Sequence, residues 1–203
     1  MPILQPNQSY TFSDYGKMPY EPEDILAELD CSLVRETLTL PMKQGEIVGL
    51  DQLRRQLERN LSRVSLTTET SRREALIAPT LFEVCEQVNS PLKSEYTMNV
   101  SDRLKGSADY FIPGKTGLLI IEAKQADLAR GFTQLATELI ALDQWIQHPA
   151  PTFYGSVTTG DLWKFGAYRR SQRQIVEDRH LWQLPEQLET LMRILIGVID
   201  AEV

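Results

Sequence analysis

A run of apolar residues near the middle of the chain constrains the fold more than any other feature. Residues Gly117 to Ala123 form an almost unbroken apolar strand, and Pro113 and Gly114 mark a turn before it. The segment from Asp127 to Ile146 follows, with apolar residues at helical spacing. A strand before a long helix can pair in parallel with the strand after it by a right-handed crossover. We therefore predict an α/β sandwich around a mixed sheet.

The other patterned segments fit this architecture. Four more segments are predicted as core strands: Ser94 to Val100, Ser107 to Ile112, Thr152 to Val157 and Leu162 to Tyr168. Four more have helical spacing: Glu21 to Leu29, Leu50 to Val64, Ser71 to Val84 and Pro185 to Ile199. The third of these helices contains Pro79, which should kink it. We predict an N-terminal α/β appendage over residues 1–64 and a core domain with the mixed sheet over residues 65–203.

Composition limits the class of partner and the compartment. The 203 residues carry 21 Lys and Arg against 28 Asp and Glu, a net charge of −7. A chain without broad positive charge can contact nucleic acid only locally. Cys31 and Cys85 have no Cys or His at zinc-binding spacing, which favours a reducing compartment. The sequence shows no targeting pattern and no apolar stretch long enough to span a bilayer, so we expect a cytoplasmic protein with no membrane contact.

Charged residues end the apolar strand. Because side chains alternate along a strand, Glu122 and Lys124 share one face. Charges on a mostly buried strand are costly unless they are paired or used. Asp109 lies on the preceding strand, and the turn near Pro113 to Thr116 should fold that strand back beside Glu122. Two carboxylates and a lysine would then converge, and such oxygen ligands suit Mg²⁺ or Mn²⁺.

This order of residues resembles the signature of the PD-(D/E)XK nuclease superfamily. The signature is an acidic residue on one strand and Glu-x-Lys on the next, and the match is Asp109 followed by Glu122-Ala-Lys124. The resemblance covers roughly Thr70 to Tyr168. Three further segments are similar to the family's first core helix, its Gln-bearing helix and its later strands: Ser71 to Pro79, Gly131 to Gln134 and Tyr154 to Trp163.

The resemblance implies a restriction-endonuclease-like mixed sheet flanked by helices and a metal-dependent phosphodiesterase site. In that site Asp109, Glu122 and Glu74 would be ligands of Mg²⁺ or Mn²⁺. Lys124 would be the catalytic lysine, acting together with Glu122 and supported by Gln134.

The chain departs from the family pattern at two positions. Ala108 precedes Asp109 where many members have proline. Glu138 stands four residues after Gln134, where some members have a tyrosine. The second departure bears on Gln134, whose helical position is also compatible with simple exposure to solvent.

The other candidates have structural alternatives. Glu74 has the spacing of a capping-box partner for Ser71. Glu122 and Lys124 could form an ion pair on an edge strand, and Asp109 could be a turn residue. A structural interpretation must account for all three together at nuclease spacing.

Two groups of cations are candidates for contact with DNA. Between Leu162 and Val176, basic residues alternate with aromatic ones, a mixture suited to phosphates and bases or to an ordinary two-faced strand and turn. The basic residues there are Lys164, Arg169, Arg170 and Arg173. On the helix from Leu50 to Val64, arginines occupy the polar face, which suits a solvated surface better than a phosphate-binding stripe.

The sequence therefore predicts a Mg²⁺- or Mn²⁺-dependent nuclease that acts on DNA. The alternative is a non-catalytic module of the nuclease fold that docks a protein or nucleic-acid partner. A homodimer is also expected, because the segment Leu188 to Ile199 is apolar around most of its helical surface.

Overall fold

The computed structural model of the protein describes residues 2–200 and has a mixed sheet between two layers of helices. The strands are β1 (Ser32–Glu36), β2 (Lys93–Ser101), β3 (Leu104–Pro113), β4 (Leu118–Ala123), β5 (Thr152–Thr158), β6 (Leu162–Arg169), β7 (Gln174–Asp178) and β8 (Trp182–Gln183). Their order is β1-β7-β6-β5-β4-β3-β2, with β8 paired to β6. The expected mixed α/β architecture is confirmed.

Helices cover both faces of this sheet. They are α1 (Phe12–Tyr15), α2 (Pro22–Ala27), α3 (Leu50–Arg63), α4 (Glu69–Arg72), α5 (Ala78–Val88), α6 (Leu128–Trp145) and α7 (Leu188–Ile199). Helices α1, α2 and α6 contribute to one core, and α3, α5 and α7 to the other. Among residues 2–200, no helix combines the length and apolarity needed to cross a membrane.

Strand β4 lies at the centre of this arrangement. All six of its residues are buried, and alternate side chains enter opposite cores, Leu118 and Ile120 on the α6 side and Leu119 and Ile121 on the other. It pairs antiparallel with β3 and parallel with β5. The parallel pair flanking helix α6 is the crossover that the sequence predicted.

The sheet extends into the segment predicted as an appendage. Strand β1 pairs in parallel with β7, with Leu33 opposite Ile175. The side chains of Phe12, Tyr15 and Leu26 are buried in the same core as α6. Residues before position 64 therefore supply an edge strand and part of the core.

The helix predicted to start at Ser71 begins earlier. Thr68 precedes its first residue, and the backbone N–H of Ser71 donates to Thr68 Oγ1 at 3.1 Å. The predicted capping box of Ser71 with Glu74 is wrong, because Thr68 caps the helix and Ser71 is the third residue after it.

The same helix is interrupted before Pro79. A π-helical turn at Arg73–Ile77 joins α4 to α5. Proline has no N–H to donate to the carbonyl four residues earlier, which here belongs to Ala75. That carbonyl accepts a 2.8 Å hydrogen bond from Asn60 Nδ2 on α3. The disturbance predicted at Pro79 is thus found as a π turn just upstream, stabilised by a neighbouring helix.

Helix α7 is covered by its own chain. Its apolar side chains are all buried. A Cβ atom at Gly197 would lie 2.6 Å from the carbonyl oxygen of Pro41, so the segment around Pro41 packs directly on the helix. The apolar surface that led us to expect a homodimer is therefore not available, because residues before α3 and helix α5 cover it.

Deleting residues 1–45 should prevent the remaining chain from folding stably. The deletion removes β1 and uncovers the core beneath Phe12, Tyr15 and Leu26. Burial of each large apolar side chain contributes about 1.5–3 kcal/mol, and the whole stability of a domain is about 5–15 kcal/mol. We expect no cooperative thermal transition when the truncated protein is followed by circular dichroism. A soluble truncated protein with a cooperative transition would show that this segment is dispensable.

Candidate active site

Asp109 and Glu122 lie side by side at the carboxyl end of β4. The ladder between β3 and β4 pairs Tyr110 with Ile121, and the same register places Asp109 opposite Glu122. Asp109 Oδ2 accepts a 2.7 Å hydrogen bond from the backbone N–H of Ala123. The hairpin therefore brings the two carboxylates together on the face covered by α6.

Lys124 joins this pair to helix α6. Its Nζ donates to Glu122 Oε1 and to Gln134 Oε1 at 3.0 Å. Gln134 Nε2 in turn donates to Glu138 Oε1 at 3.0 Å. The side chain of Glu122 is 3% exposed and that of Lys124 is 24% exposed, so the lysine forms the solvent side of the cluster.

Glu138 is the deepest member of this cluster. It is fully buried, one helical turn after Gln134. Within residues 2–200, the Oε2 atoms of Glu138 and Glu122 are buried and have no hydrogen-bond partner. Burial and then the charge of Glu122 raise the pKa of Glu138 well above its usual 4.5. Glu138 therefore favours its protonated form.

Burial also disfavours the charges of the other members. Burial and then the charge of Asp109 raise the pKa of Glu122 from 4.5 to about 7. Burial raises the pKa of Asp109 as well, against the opposing hydrogen bond from Ala123. Burial lowers the pKa of Lys124, but the charge and hydrogen bond of Glu122, together with the charges of Asp109 and Glu138, more than offset this, and the net shift is upward. A positive charge bound next to Asp109 and Glu122 would stabilise their ionised forms and lower both pKa values.

Arg73 belongs to the cluster, although the sequence analysis did not single it out. Its Nη1 lies 3.3 Å from Asp109 Oδ1, and its Nη2 lies 2.9 Å from Glu95 Oε1. Its guanidinium lies over the ring of Tyr110, 5.0 Å from the centroid. The sequence shows a charged segment around Arg73. It does not indicate which of these charged side chains faces the sheet.

Glu74, predicted as a metal ligand, lies outside this hydrogen-bonded cluster. It is exposed on the π turn next to Arg73. Within residues 2–200, its carboxylate makes no ion pair. The π turn thus directs Arg73 toward Asp109 and leaves Glu74 in solvent.

Helix α6 approaches the cluster closely at Gly131. A Cβ atom there would lie 2.7 Å from Lys124 Cγ and 2.6 Å from Val157 Cγ2. The missing side chain leaves space for the aliphatic part of Lys124 between the helix and the sheet. Lys124 can therefore occupy this position only because residue 131 is glycine.

The structure does not gather the four predicted DNA-binding cations into one patch. Lys164 Nζ lies 2.5 Å from Glu177 Oε1. Arg169 pairs with Glu36 and donates to Gln174 Oε1 at 2.9 Å. Both side chains are held by contacts within the sheet.

The other two cations hold loops in place. Arg170 Nε lies 2.5 Å from Asp143 Oδ1. Arg173 donates to the carbonyl oxygens of Leu29 and Asp30, at 2.9 Å and 2.8 Å. These contacts join the β6–β7 turn to α6 and to the segment before β1.

The aromatic residues between these cations are enclosed in the cores. Trp163, Phe165 and Tyr168 are buried, so no base can stack on them. These contacts favour the alternative that the sequence left open, an ordinary two-faced strand and turn.

The donor chemistry of the cluster fits a hard divalent cation. In the described part of the chain, no group of three or more His, Cys, Asp and Glu side chains is arranged as a metal site. However, Mg²⁺ commonly uses one or two carboxylates with water and substrate phosphate. Asp109 and Glu122 supply two carboxylates, and Glu122 Oε2 is buried without a partner within residues 2–200. The residues fit such a cation if Asp109 separates from Arg73.

Comparisons with protein-family models, curated proteins and solved structures gave no match.

Replacing Glu122 by Gln should change the pH dependence of stability. The folded state holds a proton on Glu122 up to about pH 7, whereas the ordinary pKa is 4.5. The folded state thus binds more protons between these values, and the free energy of unfolding falls as pH rises through this window. Glu122→Gln cannot titrate and should lose this part of the slope. Urea unfolding of both proteins between these pH values measures the difference, and parallel slopes would contradict the raised pKa of Glu122.

Proposed function

We propose that this protein is a Mg²⁺- or Mn²⁺-dependent nuclease that hydrolyses phosphodiester bonds in DNA. The observation that carries the proposal is the convergence of Asp109, Glu122 and Lys124 at the carboxyl end of β4. Two other segments of the resemblance also touch this cluster, through Arg73 and Gln134. Their contacts support a single site formed by elements distant in sequence.

Asp109 and Glu122 are the residues that would hold the cation. Such an ion, when bound, acidifies a water molecule and stabilises charge on the attacked phosphate. Glu138 lies deeper in the same cluster, and its raised pKa favours the neutral form, which adds no further negative charge beside Glu122. Arg73 neutralises Asp109 in the metal-free protein.

Lys124 has the position of a group that stabilises the reacting phosphate. Its ammonium lies on the solvent side of the carboxylates, where it can offset negative charge that develops during hydrolysis. Gln134 positions it by accepting from Nζ. The same amide donates to Glu138. Exchanging its oxygen and nitrogen by a 180° flip would therefore break the hydrogen bonds to both Lys124 and Glu138. Gln134 is therefore a positioning residue for the lysine.

The Arg73–Asp109 pair favours a second candidate function. Asp109 is held by Arg73 and by the N–H of Ala123, and Glu122 is held by Lys124. A buried network of this kind can also be purely structural. In that case the protein is a non-catalytic module that docks a protein or nucleic-acid partner.

Lys124→Met should strongly reduce metal-dependent cleavage while the protein stays folded. The substitution keeps the aliphatic part of the side chain and removes the charge that stabilises the reacting phosphate. Loss of one such group typically costs about 10²–10³ in rate. Cleavage of supercoiled and linear duplex DNA with Mg²⁺ or Mn²⁺ measures the effect.

Lys115→Met is the matched control, because Lys115 is exposed on the turn before β4. Equal cleavage by the two variants would remove Lys124 from the mechanism. Absence of cleavage by the wild-type protein with either metal would favour the non-catalytic module.

Millimolar Mn²⁺ should raise the melting temperature of the wild-type protein and raise that of Asp109→Asn far less. A ligand that binds only the folded state stabilises it, by about 2.7 kcal/mol at a concentration of 100 Kd. The amide of asparagine is a weaker ligand than a carboxylate. Thermal melts with EDTA and with Mn²⁺ measure the two shifts.

Asp102→Asn is the control for this measurement, because its side chain is 87% exposed. It should respond to Mn²⁺ as the wild-type protein does. Glu74→Gln tests the remaining predicted ligand, and its exposure leads us to expect a full response. An equal shift in Asp109→Asn would exclude Asp109 as a ligand.

A further inference from the structure

Helix α3 carries a regular stripe of cations. Arg55, Arg59 and Arg63 are four residues apart, so they lie on one face and follow one another about 6 Å apart along the axis. All three are exposed. The opposite face is buried through Leu53 and Leu57.

These three arginines differ from most others in the protein. Arg35, Arg72, Arg169, Arg170 and Arg193 each pair with a carboxylate. Within residues 2–200, no ion pair involves the three arginines of the stripe. Their charges are thus available to an anion outside the protein.

The stripe leads toward the candidate active site. Gln125 follows Lys124 directly, and its Nε2 donates to the carbonyl oxygen of Thr67 at 2.7 Å. Arg63 precedes Thr67 by four residues, which an extended chain spans in at most about 14 Å. The carboxyl end of the stripe therefore lies within about 14 Å of Thr67, the residue that contacts the loop after Lys124.

We propose that Arg55, Arg59 and Arg63 bind the phosphate backbone of duplex DNA and guide it to the cluster at β4. The identity of the ligand rests on the proposed function. Arginines on a helix surface contact phosphates without reading the sequence. Helix α3 has no aromatic residue, so it lacks the platform on which single-stranded bases stack. The stripe also supplies the local positive charge that a protein of net charge −7 needs.

The test measures binding in EDTA, so that binding and cleavage are separated. Fluorescence anisotropy follows a labelled duplex of about 20 base pairs between about 50 and 200 mM salt. The triple variant Arg55→Gln/Arg59→Gln/Arg63→Gln should bind at least about tenfold more weakly at the lowest salt. It should also lose up to about 2.7 from the slope of log K against log salt, since each phosphate contact contributes about 0.9.

The control variant removes the same charge from scattered exposed positions, Lys17→Gln/Lys115→Gln/Arg179→Gln. It should bind as the wild-type protein does, and circular dichroism should show both variants folded, because glutamine and arginine have similar helix propensity. Equal weakening in both variants, or no binding by the wild-type protein, would overturn the proposal. A single strand that competes better than the duplex would also overturn it.

The same measurements keep this proposal separate from the proposed function. Binding that is lost only in the stripe variant supports the stripe even if the wild-type protein cleaves nothing, an outcome that rejects the nuclease. Cleavage by the wild-type protein together with unchanged binding by the stripe variant supports the nuclease and rejects the stripe.

Discussion

Burial of both faces of β4 is the constraint on which the rest of the structure depends. The strand lies between the two cores, so Glu122 enters a region where an unpaired charge is costly. Lys124 pairs with that carboxylate from the end of the same strand, and Gln134 on α6 holds Lys124 in place. The polar cluster is therefore a direct consequence of placing a charged residue at the end of a central strand.

Patterns that depend on neighbouring residues predicted much of this structure. Strand β4 and helix α6 follow from apolar runs and helical spacing, and both lie where the sequence indicated. Strand β7 was missed because only Ile175 and Val176 are apolar among its five residues. Its acidic end is stabilised by a distant group, since Asp178 Oδ1 accepts from the backbone N–H of Leu38 as well as from that of nearby His180. Local composition cannot reveal such contacts.

The candidate site shows the same division. Asp109, Glu122 and Lys124 could be found because alternation along strands is a local property. Glu138 was visible only as a departure from a family pattern, and its role depends on the depth at which α6 packs. Arg73 was missed because the helical frame of its segment depends on the π turn, which Pro79 and the hydrogen bond from Asn60 accompany.

Because of that turn, the pairing of Arg73 with Asp109 depends on the number of residues in a helix that lies outside the sheet. A π turn holds one residue more than the α-helical path it replaces, so it behaves as a single-residue insertion. Losing one residue between positions 73 and 77 would restore a continuous α-helix and rotate its amino-terminal end by about 100°. The guanidinium of Arg73 would then leave Asp109, and Arg72 would leave Asp161. A relative of this protein lacking that extra residue would thus keep both carboxylates and the lysine on the sheet, but its aspartate at this position would have no arginine partner.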